Sequence, residues 1–67
     1  MSSLLAIYYY LKVQRLTDEN GWYSVKDVSK VVSLSVDRTR RLLSVLVLGS
    51  EIETKIVAWH NEYRCLK

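Results

Sequence analysis

The sequence predicts an α+β fold in which three helices, one short strand and a C-terminal β-hairpin fill residues 1–67 as a single domain. Three observations predict it. Apolar residues recur at helical spacing in three separate segments, whereas polar and apolar residues alternate after residue 51. Serines at 24 and 35 stand where the second and third helices need N-caps. Finally, Gly49 falls where the third helix should stop, just before the alternating segment.

Residues 4–16 (LLAIYYYLKVQRL) form the first expected helix, with Ser2 or Ser3 as its cap. Leu4, Ile7 and Leu11 make one stripe; Leu5, Tyr8 or Tyr9, Val13 and Leu16 make another. A helix apolar on nearly all sides needs two covers. One is the domain core. The other is assigned to a dimer interface drawn from Leu4, Leu5, Tyr8, Tyr9 and Tyr10, against the simpler reading that the tyrosines lie half-buried with their hydroxyls in water. The TDENG loop follows, with Asn20-Gly21 as the strongest turn signal, and then a short strand at Trp22, Tyr23 and Ser24.

Ser24, with Asp27 three residues on, marks the start of the second helix. Val25, Val28, Val31 and Val32 are expected to be its buried stripe, with Lys26, Ser29 and Lys30 outside. Residues 33–35 are the turn, in which Leu34 should plug the angle between helices. Ser33 occupies a position that tends to left-handed backbone. Ser35 caps a third helix over residues 36–48. At 100° per residue, Thr39, Leu42, Leu43 and Leu46 share the core face, while Asp37, Arg41, Ser44 and Leu48 lie opposite. Its last turns, residues 45–48, are apolar all round and call for a cover. Gly49 is expected to end the helix in left-handed conformation. In the hairpin, Ile52, Thr54, Ile56 and Ala58 share one face. Tyr63, Cys65 and Lys67 join it if the turn is centred on His60-Asn61 or Asn61-Glu62.

A chain of 67 residues buries only about 60% of its unfolded surface, so it needs efficient packing or a partner. One Cys excludes an intrachain disulfide, and one Cys with one His excludes a structural zinc site. A hydrophobic share of 49% exceeds what one small core can cover, which favours a dimer. The apolar run near the N-terminus is interrupted by Lys12 and falls short of the roughly 20 residues that span a bilayer, so no membrane association is expected and a cytoplasmic location is the default. The net charge of +3 is compatible with nucleic acid.

The order of elements, carried by SVKDVSKVVSLSVDRTRRLLSVLVLGSEI and then EIETKIVAWHNEYRCLK, resembles the winged helix-turn-helix DNA-binding domains of small bacterial and archaeal transcription regulators, including those of archaeal viruses. The resemblance covers essentially the whole chain, with the helix-turn-helix at about 24–49 and the wing at about 51–67. It implies sequence-specific binding of double-stranded DNA as a homodimer, in the host cytoplasm if the source is viral. The third helix would lie in the major groove and the wing on the backbone or minor groove.

On that reading Arg38 and Arg41 reach base edges, and Arg40 reaches a base or a phosphate. Ser35 and Ser44 are candidate phosphate contacts, with Lys26 and Lys30 adding charge. Asp37 accepts from a cytosine amino group or, the favoured reading, orients Arg41. At the wing, His60, Asn61 and Arg64 are the assigned contacts. Trp59 is assigned to cover the apolar end of the third helix, with a stacking or partner surface as the alternative. Another polypeptide in place of DNA is the second reading of the whole. No enzyme is expected: His60 has no placed acid or nucleophile, and no Gly-rich loop precedes a helix. Cys65 reads as a buried thiol, with a redox role as the alternative. Neither cofactor nor small-molecule ligand is evident.

Overall fold

Ser2 holds extended backbone and accepts the Leu5 N–H on its hydroxyl at 3.2 Å, which opens helix α1 (Ser3–Thr17). In the computed structural model, which describes residues 2–66, α1 is followed by β1 (Tyr23–Ser24), α2 (Val25–Val32), α3 (Val36–Leu48), β2 (Ile52–Val57) and β3 (His60–Cys65). The fold is thus α+β: three helices beside a three-stranded antiparallel sheet of order β1-β3-β2.

Ile7 and Leu11 of α1, Val28 of α2, Leu43 and Leu46 of α3, and Ile52, Tyr63 and Cys65 of the hairpin form the core cluster. Leu4, Tyr8 and Tyr10 pack half-buried against it. The dimer set assigned from sequence therefore divides. Leu4, Tyr8 and Tyr10 lie on the core side, and only Leu5 and Tyr9 lie on the outer line, which Val13 and Leu16 extend. The helical angle explains the division, because 5, 9, 13 and 16 sit opposite 4, 7 and 11. Tyr10 meets Tyr23 edge-on at 5.9 Å. Burial, then the nearby Tyr23 and Asp27, pushes the Tyr10 phenol above its ordinary pKa; burial, then Asp18 and Asp27, does the same to Tyr23.

A side chain at Gly21 would meet the ends of two neighbouring side chains, which would have to move aside. A Cβ there would stand 2.6 Å from the Tyr23 hydroxyl and 2.8 Å from Asp18 Oδ2.

Helix α2 begins with the full capping box. Ser24 Oγ accepts from Asp27 N–H at 3.2 Å, and Asp27 Oδ2 accepts from Ser24 N–H at 3.1 Å. Its faces differ from expectation. Val31 is exposed, whereas Ser29 is buried and its hydroxyl donates to the Lys26 carbonyl at 2.9 Å. Positions 25 and 32 lie between 28 and 29 on the helix, so packing turns the buried arc toward Ser29 and leaves Val31, at the far edge of the valine stripe, in water. Ser33 adopts the left-handed backbone (φ 57, ψ 43) that turns the chain into α3, and Leu34 is half-buried in the turn.

Two expectations about α3 are corrected. Gly49 is not left-handed (φ −82); Ser50 is (φ 59). Ser50 N–H donates to the Val47 carbonyl and Glu51 N–H to the Leu46 carbonyl, each at 3.0 Å, which is the Schellman pairing with Ser50 at the left-handed position. The apolar end is also less covered than expected: Leu46 is buried, but Leu48 is 86% exposed. Thr39 is completely buried, and its hydroxyl has no hydrogen-bond partner among the described residues.

The hairpin turn is Ala58-Trp59, not His60-Asn61 or Asn61-Glu62, because Ile52 pairs with Cys65 and Val57 with His60. Both turn residues have positive φ (46 and 75), the primed turn that suits strand twist. The face assignments survive: Ile52, Thr54 and Ile56 still share a face with Tyr63 and Cys65, because the register moves by an even number of residues. Lys67 lies outside the described residues.

Replacing Ser50→Gly should raise stability by about 1 kcal/mol, since an L side chain pays for left-handed backbone. Gly49→Ala should leave stability unchanged or slightly higher, because an added Cβ meets its nearest neighbour at 3.5 Å. Urea unfolding measures both, and a glycine needed for left-handed geometry at position 49 would reverse the two signs.

Candidate nucleic-acid interface

The turn at residues 33–35 sets the first turns of α3 at the surface beside α2. Ser35 Oγ accepts from Arg38 N–H at 3.1 Å, so this cap fixes where the arginine-bearing segment begins. Thr39 and Leu43 point inward, which leaves Arg38, Arg40 and Arg41 exposed. The guanidinium groups of Arg38 and Arg41 make no hydrogen bond or ion pair with any other described residue. Arg40 is engaged: its Nη1 donates to Asp37 Oδ1 at 2.9 Å. Asp37 therefore pairs at i,i+3 with Arg40 and not with Arg41, so the favoured orienting role is corrected. Both partners remain largely in water, and such a pair holds little energy. Ser44 is exposed, and its hydroxyl donates back to the Arg40 carbonyl at 3.0 Å.

Charge is concentrated here. Lys26, Lys30, Arg38, Arg40 and Arg41 face only Asp27 and Asp37 within α2 and α3, so this helix pair carries the chain's whole net charge of +3. Asp27 is already spent on the α2 cap. Lys26 and Lys30 are both exposed.

Between the starts of α2 and α3 and the hairpin lies a groove of about 520 Å³, lined by Ser24, Val25, Lys26, Val36, Arg40, Trp59, His60, Asn61 and Tyr63. It brings together four of the residues assigned from sequence: Lys26, Arg40, His60 and Asn61. Asn61 Nδ2 donates to the Tyr63 hydroxyl at 3.5 Å, and His60 Nε2 sits 3.3 Å from Glu62 Oε2. A smaller groove of about 290 Å³ joins Ser44, Val47 and Leu48 to Thr54, Asn61 and Tyr63.

Arg64 stands apart from this cluster. It lies across from Glu53, on the sheet face opposite Tyr63 and Cys65. Its Nε donates to Glu53 Oε2 at 2.8 Å, its Nη1 reaches the Glu19 carbonyl at 3.4 Å, and its guanidinium lies 4.4 Å from the Trp22 ring centre. Lys55 Nζ lies at the same distance from that ring. Arg64 is thus held in place by the α1–β1 loop and the hairpin through its Nε and Nη1. Trp59 does not cover α3: it is 100% exposed at the hairpin tip. Cys65 is buried, with Sγ 3.9 Å from the Glu51 carbonyl. Among the described residues, no cluster of His, Cys, Asp and Glu is arranged to hold a metal ion, and no helix is long and apolar enough to cross a membrane.

Arg64→Ala should lower stability by about 1 kcal/mol, through loss of a half-buried ion pair and a cation–π contact. Thermal unfolding measures the cost, and the change in Trp22 emission on removing the guanidinium reports the contact itself. Compared with known proteins, the chain matches no family model, no curated protein and no solved structure.

Proposed function

We propose that the protein binds double-stranded DNA as a winged helix-turn-helix transcription regulator, with α3 as the recognition helix in the major groove and the β2–β3 hairpin as the wing. One observation carries this reading: the whole net charge sits on α2 and α3, and two arginines of α3 project from the surface with guanidinium groups that meet no partner among the described residues. Guanidinium groups so placed suit bidentate contact with guanine in a groove that admits one helix. Arg38 and Arg41 are the base readers. Arg40, already tethered to Asp37, joins Lys26, His60 and Asn61 along a groove that suits a phosphate strand. Lys30 and the exposed hydroxyls of Ser35 and Ser44 flank it. Arg64, held by Glu53 and Trp22, braces the wing from behind.

The active form is a homodimer closed through α1. Leu5, Tyr9, Val13 and Leu16 form one exposed apolar line along this helix, on the side away from the core. In water such a line is costly to leave open, and a second α1 offers the matching surface. A dimer then presents two recognition helices to half-sites roughly 34 Å apart.

A second reading, docking of another polypeptide on the same face, draws on the exposure of Val45, Leu48 and Ile56. Salt separates the two. Binding through several phosphates weakens steeply as salt rises, whereas binding through Val, Leu and Ile does not.

In gel shifts over a salt series, Arg38→Ala/Arg41→Ala should lose at least about 30-fold in affinity together with its sequence preference, at about 1–3 kcal/mol for each of the two base contacts. Unchanged affinity and preference would remove α3 from the interface. For the dimer, sedimentation at high micromolar concentration should give twice the monomer mass for the wild type and the monomer mass for Tyr9→Glu/Val13→Lys; a monomeric wild type would end the claim.

A further inference from the structure

We infer that Trp59 enters the DNA as an apolar wedge that unstacks a base step, so that this protein bends the duplex it binds. The inference rests on the DNA-binding reading and specifies what the hairpin tip does within it.

The first observation is exposure. Trp59 is 100% exposed, and Ile56, three residues before it, is 78% exposed. An indole is among the costliest side chains to leave in water, and here it packs against nothing in the free protein.

The second is backbone conformation. Ala58 and Trp59 are the two central residues of the turn, and both have positive φ. Asn-Gly or Gly-Gly adopts this turn at little cost; Ala-Trp does not. The free fold therefore gains no packing from Trp59 and carries strain because of it. Backbone strain of this kind clusters at binding sites and switch regions.

The third is placement. Trp59 borders the groove that holds Lys26, Arg40, His60 and Asn61; none of the described residues lining it is Asp or Glu, though Asp37 pairs with Arg40 and Glu62 sits beside His60. A phosphate strand drawn to Lys26 and Arg40 brings the duplex against the hairpin tip. The tip offers an apolar aromatic side chain and no cation of its own, so phosphate contact does not explain it. Base stacking does: any base presents a face that an indole can cover, and apolar side chains pushed between minor-groove base steps kink DNA toward the major groove. Flexible TA steps should be the preferred sites.

Trp22→Phe leaves Trp59 as the only indole, because the chain has two Trp. Titrating this variant with a duplex of about 30 base pairs rich in TA steps should quench Trp59 emission and shield it from acrylamide. Dyes on the two duplex ends should move closer together on binding. Trp59→Ala should bind about tenfold more weakly, keep the same dependence on salt, and leave the duplex straight. Trp59→Gly should melt at a higher temperature than the wild type and yet bind no better than Trp59→Ala. If Trp22→Phe fails to fold, the difference in quenching between wild type and Trp59→Phe gives the same signal. A salt-sensitive complex in which Trp59 emission is unchanged overturns the wedge alone. So does a duplex bent equally by Trp59→Ala, or one that stays straight while Trp59 is shielded. Absence of any salt-sensitive complex overturns the DNA-binding reading and the wedge together.

Discussion

Ile7 and Leu11 on one helix, Leu43 and Leu46 on another, and Ile52, Tyr63 and Cys65 on the hairpin share one small apolar cluster, and every other feature of the protein is placed by it. A chain of this length cannot afford a second core. The cluster draws one side of α1, one side of α2 and one side of α3 inward, and it fixes the register of the hairpin through Ile52 and Cys65. Whatever remains apolar beyond those sides has nowhere to go. Leu5, Tyr9, Val13 and Leu16 on α1, Val31 on α2, Val45 and Leu48 on α3, and Ile56 and Trp59 on the hairpin belong to the surplus. The exposed apolar surface is therefore a direct result of scarce interior volume.

The helices were legible from sequence because their signals are local. A serine cap, an acid three residues later and a 3.6-residue period are all written within one segment, and Ser2, Ser24 and Ser35 each cap as read. The strand faces were legible for the same reason, since alternation does not depend on the partner. What was not legible depends on a second segment. The turn at Ala58-Trp59 carries no turn residue, and the polar pair His60-Asn61 looked better until the pairing of Ile52 with Cys65 set the register from the core. The anchoring of Arg64 needs Glu53, Glu19 and Trp22, which stand far apart in sequence. An arginine near a loop looks like a contact residue until its partners are known.

One misplacement has a local cause. The left-handed residue after α3 is expected at the only glycine nearby, but the Schellman geometry needs it one residue later, where Ser50 accepts the strain. In α2 the cause is tertiary: four valines fit one arc of the helix, but packing against the other elements turns the buried arc toward Ser29 and away from Val31. Left-handed backbone at Ser33, Ser50, Ala58 and Trp59, none of them glycine, is a recurrent habit of this chain. It leaves the turns with side chains where glycine would leave bare backbone.

The segregation of charge has a reach that contacts alone do not describe. Outside α2 and α3 the cations and acids of the chain are equal in number, so its net positive charge belongs to one helix pair. In the field of a polyanion the molecule would turn before it touches, presenting the arginine-bearing helix first. Orientation of that kind shortens the search for a productive encounter, and it does so without any part of the fold having to move.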